Sequence, residues 1–278
     1  MSDVDPPISV VRVAVQRALE EDFGLLGDLT SLAVVPETAT AVGTFRSRAH
    51  GVLAGTRAAT EVFAQLDPTV EVEWSAHDGD RLQPGTEFGT VRGPMRSLLG
   101  GERTALNLLG HCSGVATLTR QFVDAAGPNV RVRDTRKTLP GLRALQKAAV
   151  RAGGGFNHRE SLSDAVLIKD NHLVGRDLGE TVAEARNVWP GRIIEVECDT
   201  LDQVAQAKVA SPDLVLLDNM TPDQVREAVA ILGGAADTEV SGGVTLETVA
   251  AYGATGADYV SVGALTHSAV NLDLGLDF

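Results

Sequence analysis

The stretch that decides the fold is RIIEVECDTLDQVAQAKVASPDLVLLDNMTPDQVREAVAILGGAADTEVSGGV, residues 192–244. Three short apolar runs in it, IIEVE, LVLLD and TEVS, alternate with segments of helical spacing near 200–209 and 221–232. Strands that alternate with helices indicate a parallel sheet, because a parallel strand is reached only through a long crossover connection. Right-handed crossovers allow such a series to curl into a barrel.

The same alternation extends beyond this stretch on both sides. It adds the apolar runs VRVRD, DAVLIK and DYVSV, and helical segments near 141–152, 178–188 and 245–253. Six β units with short helices between them predict an α/β fold for residues 106–265, namely an open (β/α) barrel of about six parallel strands.

The first hundred residues follow a different pattern, typical of an α+β domain. A helix is predicted near 9–20, and the turn and capping residues of GDLTS end it. Three strand patterns and a second helix follow, near 40–55, 70–75, 86–92 and 56–66, with DGDRLQPG as a turn. We therefore predict a sandwich-like α+β domain over residues 1–105. A long helix from Gly100 to Ala126 leads into the barrel, and the tail 266–278 is free to pack back on the first domain.

Charge is distributed unevenly along the chain. The formal net charge is −13, yet residues 131–172 hold nine Lys or Arg against four Asp or Glu. An acidic protein repels nucleic acid and anionic membranes, so this basic segment predicts a small, highly charged anion as ligand. No apolar run approaches the ~20 residues that cross a bilayer, and the acidic N-terminus lacks a signal-peptide pattern. Cys112 and Cys198 have no metal-like or disulfide-like spacing, so we expect a cytoplasmic protein.

Polar or glycine-rich residues follow each of the six apolar runs. In a (β/α) barrel the carboxyl ends of the strands meet at one rim, where rigid strands hold side chains around a common opening. The residues concerned are Asp134, Thr135, Arg136 and Lys137; Lys169, Asp170 and Asn171; Glu195 and Glu197; Asp218 and Asn219; Ser241, Gly242 and Gly243; and Gly263. The sequence therefore predicts a single pocket.

This pocket is predicted to be chemically divided. Its cations are Arg136, Lys137, His158, Arg159 and Lys169. Arginine grips a carboxylate or phosphate through two parallel donors. Glu197 and Asp218 would hold a divalent metal or accept hydrogen bonds from sugar hydroxyls. The SGG and VGA turns bring backbone N–H groups close to a phosphate. The set fits a phosphorylated sugar together with a second anion.

Structural roles are the simpler interpretation for several polar residues outside this set. Arg143, Lys147 and Arg151 lie four apart on one helix, which is typical of a solvated or subunit-facing stripe, so we leave them out of the site. His111 and His267 have no partner spacing, and we expect both to be structural.

Two alternatives stay open within the predicted pocket. Lys169 is either a functional residue or simply the point where a strand meets solvent. Glu195 and Glu197 share one strand face, so one of them could cap a core edge. Arg131 and Arg133 alternate with apolar residues of their strand and stay unassigned.

Six motifs follow one another from Asp134 onward: DTRKTLPGLRALQKAAVRAGGGFNHR, IKDNH, IEVEC, LVLLDNM, EVSGGV and DYVSVGALTHS. In order and spacing they resemble the quinolinate phosphoribosyltransferase family, also called nicotinate-nucleotide pyrophosphorylase (carboxylating). EDFGLLGDLTS and ERTALNLLGHCSGVATLTR extend the similarity to nearly the whole chain. The resemblance implies Mg²⁺-dependent transfer of the phosphoribosyl group of phosphoribosyl pyrophosphate to quinolinate. Pyrophosphate and CO₂ are released and nicotinate mononucleotide, a precursor of NAD, is formed.

The resemblance also implies a homodimer, or a higher oligomer, in which the N-terminal domain of one subunit caps the barrel of its neighbour. The implied catalytic residues are Lys137, Lys169, Glu197 and Asp218, with the two carboxylates also holding Mg²⁺, directly or through water. The implied quinolinate ligands are Arg103, reaching across from the partner subunit, and Thr135, Arg136, Lys137, His158, Arg159 and Lys169. The implied phosphate-binding loops contain Ser241, Gly242, Gly243, Val262, Gly263 and Ala264.

Other functions stay open from the sequence alone. A related phosphoribosyltransferase could act on another base, such as nicotinate, or be the pyrophosphorylase-like protein of molybdenum transport operons. Lys169 could form a Schiff base in a barrel aldolase. A non-catalytic protein could bind phosphoribosyl pyrophosphate without turnover.

Overall fold

The structure, a computed structural model, describes residues 5–278; residues 1–4, where the predicted first domain begins, lie outside the described part. The chain forms two compact units. The first comprises the chain through Arg120, Thr138–Gly154 and Leu265–Phe278, and the second comprises Gln121–Lys137 and Gly155–Ala264. Each unit draws on separated parts of the sequence, whereas the prediction placed one boundary between residues 105 and 106 and allowed only the tail 266–278 to join the first domain.

The elements alternate between helix and strand along most of the chain. The first are α1 (Ile8–Phe23), α2 (Leu29–Val34), β1 (Thr40–Ser47), β2 (Gly51–Val52), α3 (Thr56–Leu66), β3 (Glu71–Trp74), β4 (Arg81–Leu82), β5 (Glu87–Pro94) and α4 (Met95–Ala126). They are followed by β6 (Arg131–Arg133), α5 (Arg143–Ala152), β7 (Val166–Ile168), a 3₁₀ turn (Asp170–His172), α6 (Leu178–Val188), β8 (Ile194–Cys198), α7 (Leu201–Ala210), β9 (Leu214–Asp218), α8 (Pro222–Leu232), β10 (Asp237–Ser241), α9 (Val249–Gly253), β11 (Tyr259–Ser261), α10 (Ala264–His267) and β12 (Leu274–Asp277).

The predicted helices are present, with shifted ends. The long helix begins at Met95 rather than Gly100, and α9 is shorter than predicted. Asp28 lies in the turn after α1, as expected. Its carboxylate also accepts a hydrogen bond from the Ser31 N–H at 3.0 Å and so caps the start of α2, a helix that the pattern did not predict.

The first unit contains a four-stranded antiparallel sheet in the order β12, β1, β5, β3. Its core is aromatic: the ring centroids of Phe45 and Trp74 lie 4.8 Å apart, and Phe63 and Phe88 complete the cluster. Gly89 makes room for the indole, because a Cβ there would lie 2.4 Å from a ring carbon of Trp74. The tail also belongs to this unit, since β12 pairs with β1.

Helix α5 is part of the first unit and corrects one expectation. Lys147 is only 2% exposed, so the solvated stripe predicted for Arg143, Lys147 and Arg151 is wrong at its centre. The reason is that α5 is buried on nearly every side from Leu145 to Val150. The neighbouring Gln146 is buried as well and lies 2.9 Å from a ring nitrogen of His111.

The second unit is the predicted six-stranded sheet, which confirms the open (β/α) barrel. Every neighbouring pair is parallel, in the order β6, β11, β10, β9, β8, β7, so the last barrel strand lies beside the first. The central strands β8, β9 and β10 are buried on both faces along most of their length, as in LVLLD of β9. Capping boxes at Thr200 and Thr221 begin α7 and α8 and set the length of each crossover.

Two further features concern the cysteines and the helices. Cys112 and Cys198 are buried free thiols, and burial raises the pKa of each to about 12. Within residues 5–278, no helix combines the length and the apolar character needed to span a membrane.

Candidate active site

The polar residues at the strand ends of the second unit surround one pocket of about 310 Å³. The lining residues are Thr135, Arg136, Lys137, His158, Arg159, Leu167, Lys169, Glu197, Leu216, Asp218, Glu239, Ser241 and Ser261. Nine of them were predicted from the sequence: Thr135, Arg136, Lys137, His158, Arg159, Lys169, Glu197, Asp218 and Ser241. The barrel therefore brings together side chains that are spread over more than a hundred residues of sequence.

Six predicted site residues are not in this lining. Gly242 and Gly243 follow Ser241 directly, beyond the end of β10. Val262 is buried, and its N–H donates to the carbonyl of Arg133 at 2.9 Å. Gly263 and Ala264 are half-buried after β11, and Arg103 is exposed on α4 in the first unit.

A buried aspartate fixes the loop that carries two of the predicted cations. The Asp134 carboxylate accepts the backbone N–H of His158 at 2.9 Å and the side-chain amide of Asn157. Since Asp134 directly follows β6 and is fully buried, the loop is tied to the end of that strand. Arg136 lies two residues beyond Asp134, so this tie places Arg159 beside Arg136.

Four cations, which we call the rim cluster, line the pocket: Arg136, Lys137, Arg159 and Lys169. Burial, and then the nearby charge of Arg136, lowers the pKa of Arg159, although an arginine stays charged at neutral pH. The Nε atom of Arg136 is buried and has no hydrogen-bond partner among the described residues. Two guanidinium groups held this close favour the binding of an anion.

Two carboxylates line the same pocket, those of Glu197 and Asp218. Lys169 Nζ forms an ion pair with Glu197 Oε2, and Asp218 Oδ2 accepts a hydrogen bond from Asn219 Nδ2 at 2.7 Å. Glu197 lines the pocket, whereas Glu195 does not. Carboxylate oxygens are the donors that Mg²⁺ prefers, so Glu197 and Asp218 fit the predicted metal by their chemistry.

A tight turn follows β10 at the edge of the same pocket. Gly242 has φ +93°, and a Cβ at this position would lie 2.2 Å from Asn219 Oδ1. Gly243 also has a positive φ, +59°. Only glycine tolerates this conformation and this closeness together. Consecutive peptide groups in such turns commonly form concave sites for anions.

A second, more buried set of side chains adjoins the rim cluster, and His158 and Glu239 of this set also line the pocket. We call it the buried cluster: Arg133, His158, Glu195 and Glu239. Arg133 Nη1 donates to Glu239 Oε2 at 2.6 Å, and His158 Nε2 lies 3.0 Å from Glu195 Oε2. Glu195 is 1% exposed and Glu239 is completely buried. The Arg133 guanidinium also stacks on Tyr259, with its carbon 3.3 Å from the ring centroid.

Two residues of the buried cluster, Glu239 and His158, have raised pKa values. Burial raises the pKa of Glu239 more than the charges of His158 and Arg133 lower it. Burial lowers the pKa of His158, but the hydrogen bond to Glu195 and the charges of Glu239 and Glu195 outweigh it, and the net direction is upward. The donor atoms of His158, Glu195 and Glu239 lie within 4.8 Å of one another, a spacing that could hold a metal ion. Arg133 already supplies a positive charge to Glu239 there.

Sequence reasoning missed Glu239 and left Arg133 unassigned. The signal was available in the strand periodicity, because residues two apart on a strand face the same side. Glu239 lies two residues before Ser241, and Arg133 lies two residues before Thr135, and both later residues were in the predicted site. An inward-facing carboxylate on β10 thus followed from the same alternation that relates Glu195 to Glu197.

Two family models cover nearly the whole chain. The model of the quinolinate phosphoribosyl transferase N-terminal domain matches residues 28–113, and that of the C-terminal domain matches residues 115–277. The chain belongs to the quinolinate phosphoribosyltransferase family. The resemblance stated from the motifs is thereby confirmed, and with it membership of a family of pentosyltransferases.

Members of the family match this chain over almost their full length. The nicotinate-nucleotide pyrophosphorylase (carboxylating) of Mycobacterium leprae is 44% identical over 280 residues, which cover 98% of this chain and 99% of that protein. The quinolinate phosphoribosyltransferase (decarboxylating) 2b, mitochondrial, of Nicotiana tabacum is 40% identical over 298 residues, 99% of this chain and 84% of that one.

Solved structures agree with the family assignment. The crystal structure of NadC from Streptococcus pyogenes superimposes with a TM-score of 0.94 at 38% identity, covering 99% of this chain and 98% of that one. Human nicotinic acid phosphoribosyltransferase matches with a TM-score of 0.62 at 14% identity over 95% of this chain and 73% of that one, which shows a shared fold alone.

Proposed function

We propose that this chain transfers the phosphoribosyl group of phosphoribosyl pyrophosphate to quinolinate, with loss of CO₂, to give nicotinate mononucleotide and pyrophosphate. The observation that carries the proposal is the composition of the pocket, which combines the four cations of the rim cluster with the carboxylates of Glu197 and Asp218. The membership of the quinolinate phosphoribosyltransferase family supports the choice of substrates.

The rim cluster answers the electrostatic demand of this reaction. Quinolinate is a dianion and phosphoribosyl pyrophosphate a polyanion, and two like charges 4 Å apart repel by ~4 kcal/mol at an effective dielectric constant near 20. Several fixed cations are needed to bring the reactants together. Arg136 and Arg159 would hold the two carboxylates of quinolinate, because paired N–H donors of a guanidinium match a carboxylate. Orientation of the pyridine nitrogen toward the sugar follows from that grip.

The carboxylates of Glu197 and Asp218 meet a second requirement of the reaction, the stabilisation of positive charge on the sugar. Positive charge grows at the anomeric carbon as pyrophosphate departs, and Glu197 and Asp218 would stabilise it through space. Both would also hold Mg²⁺, which when bound neutralises the phosphate charges of the leaving group. Lys169 keeps Glu197 in place through the ion pair between them. No nucleophilic side chain is required, since the pyridine nitrogen of quinolinate is the attacking atom.

Phosphate binding is proposed for the two glycine turns. Gly242 and Gly243 follow β10, and Gly263 follows β11, so both turns lie at the carboxyl ends of neighbouring strands. The absence of a Cβ lets a phosphate approach the backbone N–H groups closely. Ser241, which lines the pocket, would donate its hydroxyl to the same phosphate.

A homodimer with a shared active site is part of the proposal. Arg103, the predicted quinolinate ligand on α4, is exposed and is not in the lining of the pocket, which fits a side chain that serves a neighbouring subunit. Large apolar side chains are also exposed around α2 and favour burial against a second copy. They are Leu25, Leu26, Leu29, Leu32 and Val34. The two buried free thiols are consistent with a reducing cytoplasm as the place of work.

Complementation tests the shared site. Arg103→Ala and Asp218→Ala variants, each inactive alone, are mixed, unfolded gently and reassembled. Activity is expected to return to about a quarter of the wild-type value, because about half of the randomly reassembled dimers are heterodimers and one of the two sites in each is intact. A mixture that stays as inactive as its components would contradict a site built from two subunits.

A product assay tests the reaction itself. The protein is incubated with quinolinate, phosphoribosyl pyrophosphate and Mg²⁺, and nicotinate mononucleotide and CO₂ are detected by mass spectrometry. We expect both products, and no product when nicotinate replaces quinolinate. Equal turnover of nicotinate would point to a relative acting on another base, and binding of phosphoribosyl pyrophosphate without product would point to a non-catalytic protein.

A further inference from the structure

The buried cluster links the interior of the barrel to the loop that holds Arg159. Glu239, on β10, has no exposed surface, and its Oε2 atom accepts the hydrogen bond from Arg133 Nη1. Its Oε1 atom lies 3.6 Å from Nε2 of His158. Tyr259 fixes the plane of the Arg133 guanidinium by stacking against it. Glu239 is therefore held by the charge of Arg133 and faces the imidazole of His158.

Both ring nitrogens of His158 are engaged within the protein. Nε2 faces Glu195 at 3.0 Å, while Nδ1 accepts the backbone N–H of Arg159 at 2.8 Å. An Nδ1 atom that accepts a hydrogen bond carries no proton, so the ring proton lies on Nε2 and points at the carboxylates. The imidazole is thus a bridge between the carboxylates of the buried cluster and the main chain of Arg159.

Arg159 is consequently fixed at both ends. Its backbone N–H is bound by His158, and its guanidinium donates from Nη1 to the carbonyl of Ala165 at 3.0 Å. The same guanidinium lines the pocket beside Arg136. A small rotation of the His158 ring would move the backbone of Arg159 and, with it, the donors that a ligand meets.

Stability alone does not account for the buried cluster. Replacing a buried ion pair by apolar residues of similar volume is often neutral or stabilising, because both charges lose their water. A misplacement of about 1 Å in a binding group, by contrast, can cost about 100-fold in rate. The value of buried charges next to a pocket lies in the orientation they impose on their neighbours.

We propose that Glu239 is a positioning residue, which acts through His158 to hold Arg159 in the orientation that binds a ligand carboxylate. The proposal rests on the proposed function for the identity of that ligand, quinolinate. Glu239 does not touch the substrate in this account. Its removal affects the binding of the dicarboxylate and leaves the binding of phosphoribosyl pyrophosphate unchanged.

The test is steady-state kinetics on Glu239→Gln, which keeps the shape of the side chain and removes its charge. Quinolinate is varied at saturating phosphoribosyl pyrophosphate, and the reverse, both with Mg²⁺. We expect KM for quinolinate to rise about 10-fold, with kcat within about threefold and KM for phosphoribosyl pyrophosphate unchanged. Glu227→Gln, the same change at an exposed position of α8, is the matched control and should match the wild type.

A double-mutant cycle shows whether Glu239 acts through His158. In a His158→Asn background the imidazole bridge is gone, so Glu239→Gln should add less than about twofold to KM for quinolinate. Independent, multiplying effects of the two substitutions would overturn the proposal. If Glu239→Gln does not fold, as judged by circular dichroism and thermal unfolding, Glu239→Asp replaces it, because the shorter side chain keeps the charge and shifts its position.

The remaining outcomes separate this inference from the proposed function. A wild-type protein that makes no product from quinolinate refutes the function. A wild type that turns over, beside a folded Glu239→Gln variant with unchanged KM for quinolinate, refutes the positioning role alone. A fall in kcat with both KM values unchanged would also refute it, since a purely structural loss of active protein has that signature.

Discussion

The rim cluster and the buried cluster lie in the same unit but combine their charges differently. In the rim cluster, Arg136 and Arg159 are close enough for one charge to lower the pKa of the other side chain. In the buried cluster, the guanidinium of Arg133 and the imidazole of His158 face two carboxylates, with Arg133 on Glu239 and His158 beside Glu195.

The two arrangements of charge suit different roles. Like charges that are held together against their repulsion are stabilised by a ligand of opposite sign, so the rim cluster is suited to bind an anion. Groups that pair with one another away from water, as Arg133 does with Glu239, fix geometry instead. Changes in the rim cluster should therefore alter kinetics, and changes in the buried cluster should alter stability or the position of its neighbours.

The largest effect is expected from Arg136→Ala in the rim cluster. Loss of a bidentate partner for a substrate carboxylate costs about 4 kcal/mol of transition-state binding, or about 1,000-fold in kcat/KM for quinolinate. The free energy of unfolding should not fall, because the repulsion with Arg159 is relieved. Steady-state kinetics and urea unfolding measure the two quantities. Arg226→Ala, on the exposed face of α8, is the control, and near-normal kinetics in folded Arg136→Ala would contradict the assignment.

Arg133→Ala in the buried cluster, unlike Arg136→Ala, is expected to lower the free energy of unfolding. It leaves the completely buried Glu239 without its partner, which costs about 3 kcal/mol in the free energy of unfolding. Urea denaturation gives this number directly. Arg131→Ala, two residues earlier on β6 and exposed, should cost less than about 1 kcal/mol. Equal stability of the two variants would remove the distinction between the clusters.

A smaller kinetic effect is expected from Lys169→Ala. The substitution removes one rim cation and the ion-pair partner of Glu197, so we expect a loss of about 100-fold in kcat/KM, or about 2.7 kcal/mol. Lys208→Ala, whose amine instead donates to the carbonyl of Ile231 on the outer surface, provides the control. Should both lysine variants show equal activity, Lys169 would be merely the end of a strand in solvent.

The smallest effect is expected at a carboxylate that belongs to neither cluster. The hydrogen bonds from Ser31 lower the pKa of Asp28 below its ordinary 3.8, so this side chain stabilises the fold above that pH and loses its effect as pH falls through the lowered value. Asp28→Ala should reduce the free energy of unfolding by about 1 kcal/mol at pH 7 and by less below pH 3.8. A difference that is constant from pH 7 to pH 3 would argue against the cap.

The barrel and most of its pocket were predictable from the sequence because they rest on local signals. Apolar runs of LVLLD type followed by capping residues gave the strands, the helices and the direction of each crossover. The polar strand ends then gave nine of the pocket residues, since parallel strands end at one rim. Predicted element ends shifted by a few residues, as at Met95, where the helix continues directly from β5.

The features that escaped prediction depend on contacts between distant parts of the chain. Lys147 has the spacing of a solvated residue, and only the packing of α5 shows that it is buried. The partnership of Arg133 with Glu239 joins residues 106 positions apart, and no local pattern encodes it. The tail 266–278 was expected to pack on the first domain, but its strand β12 and the pairing of β12 with β1 have no local signal.

A crystal structure of the protein with quinolinate bound is the most direct test of the division between the two clusters. We expect electron density for the dicarboxylate in the pocket, with carboxylate oxygens within about 3 Å of the guanidinium groups of Arg136 and Arg159. The contacts of Arg133 with Glu239, and of His158 with the Arg159 N–H, should be unchanged. Carboxylates bound by Arg133, with the buried cluster opened to receive them, would contradict that division.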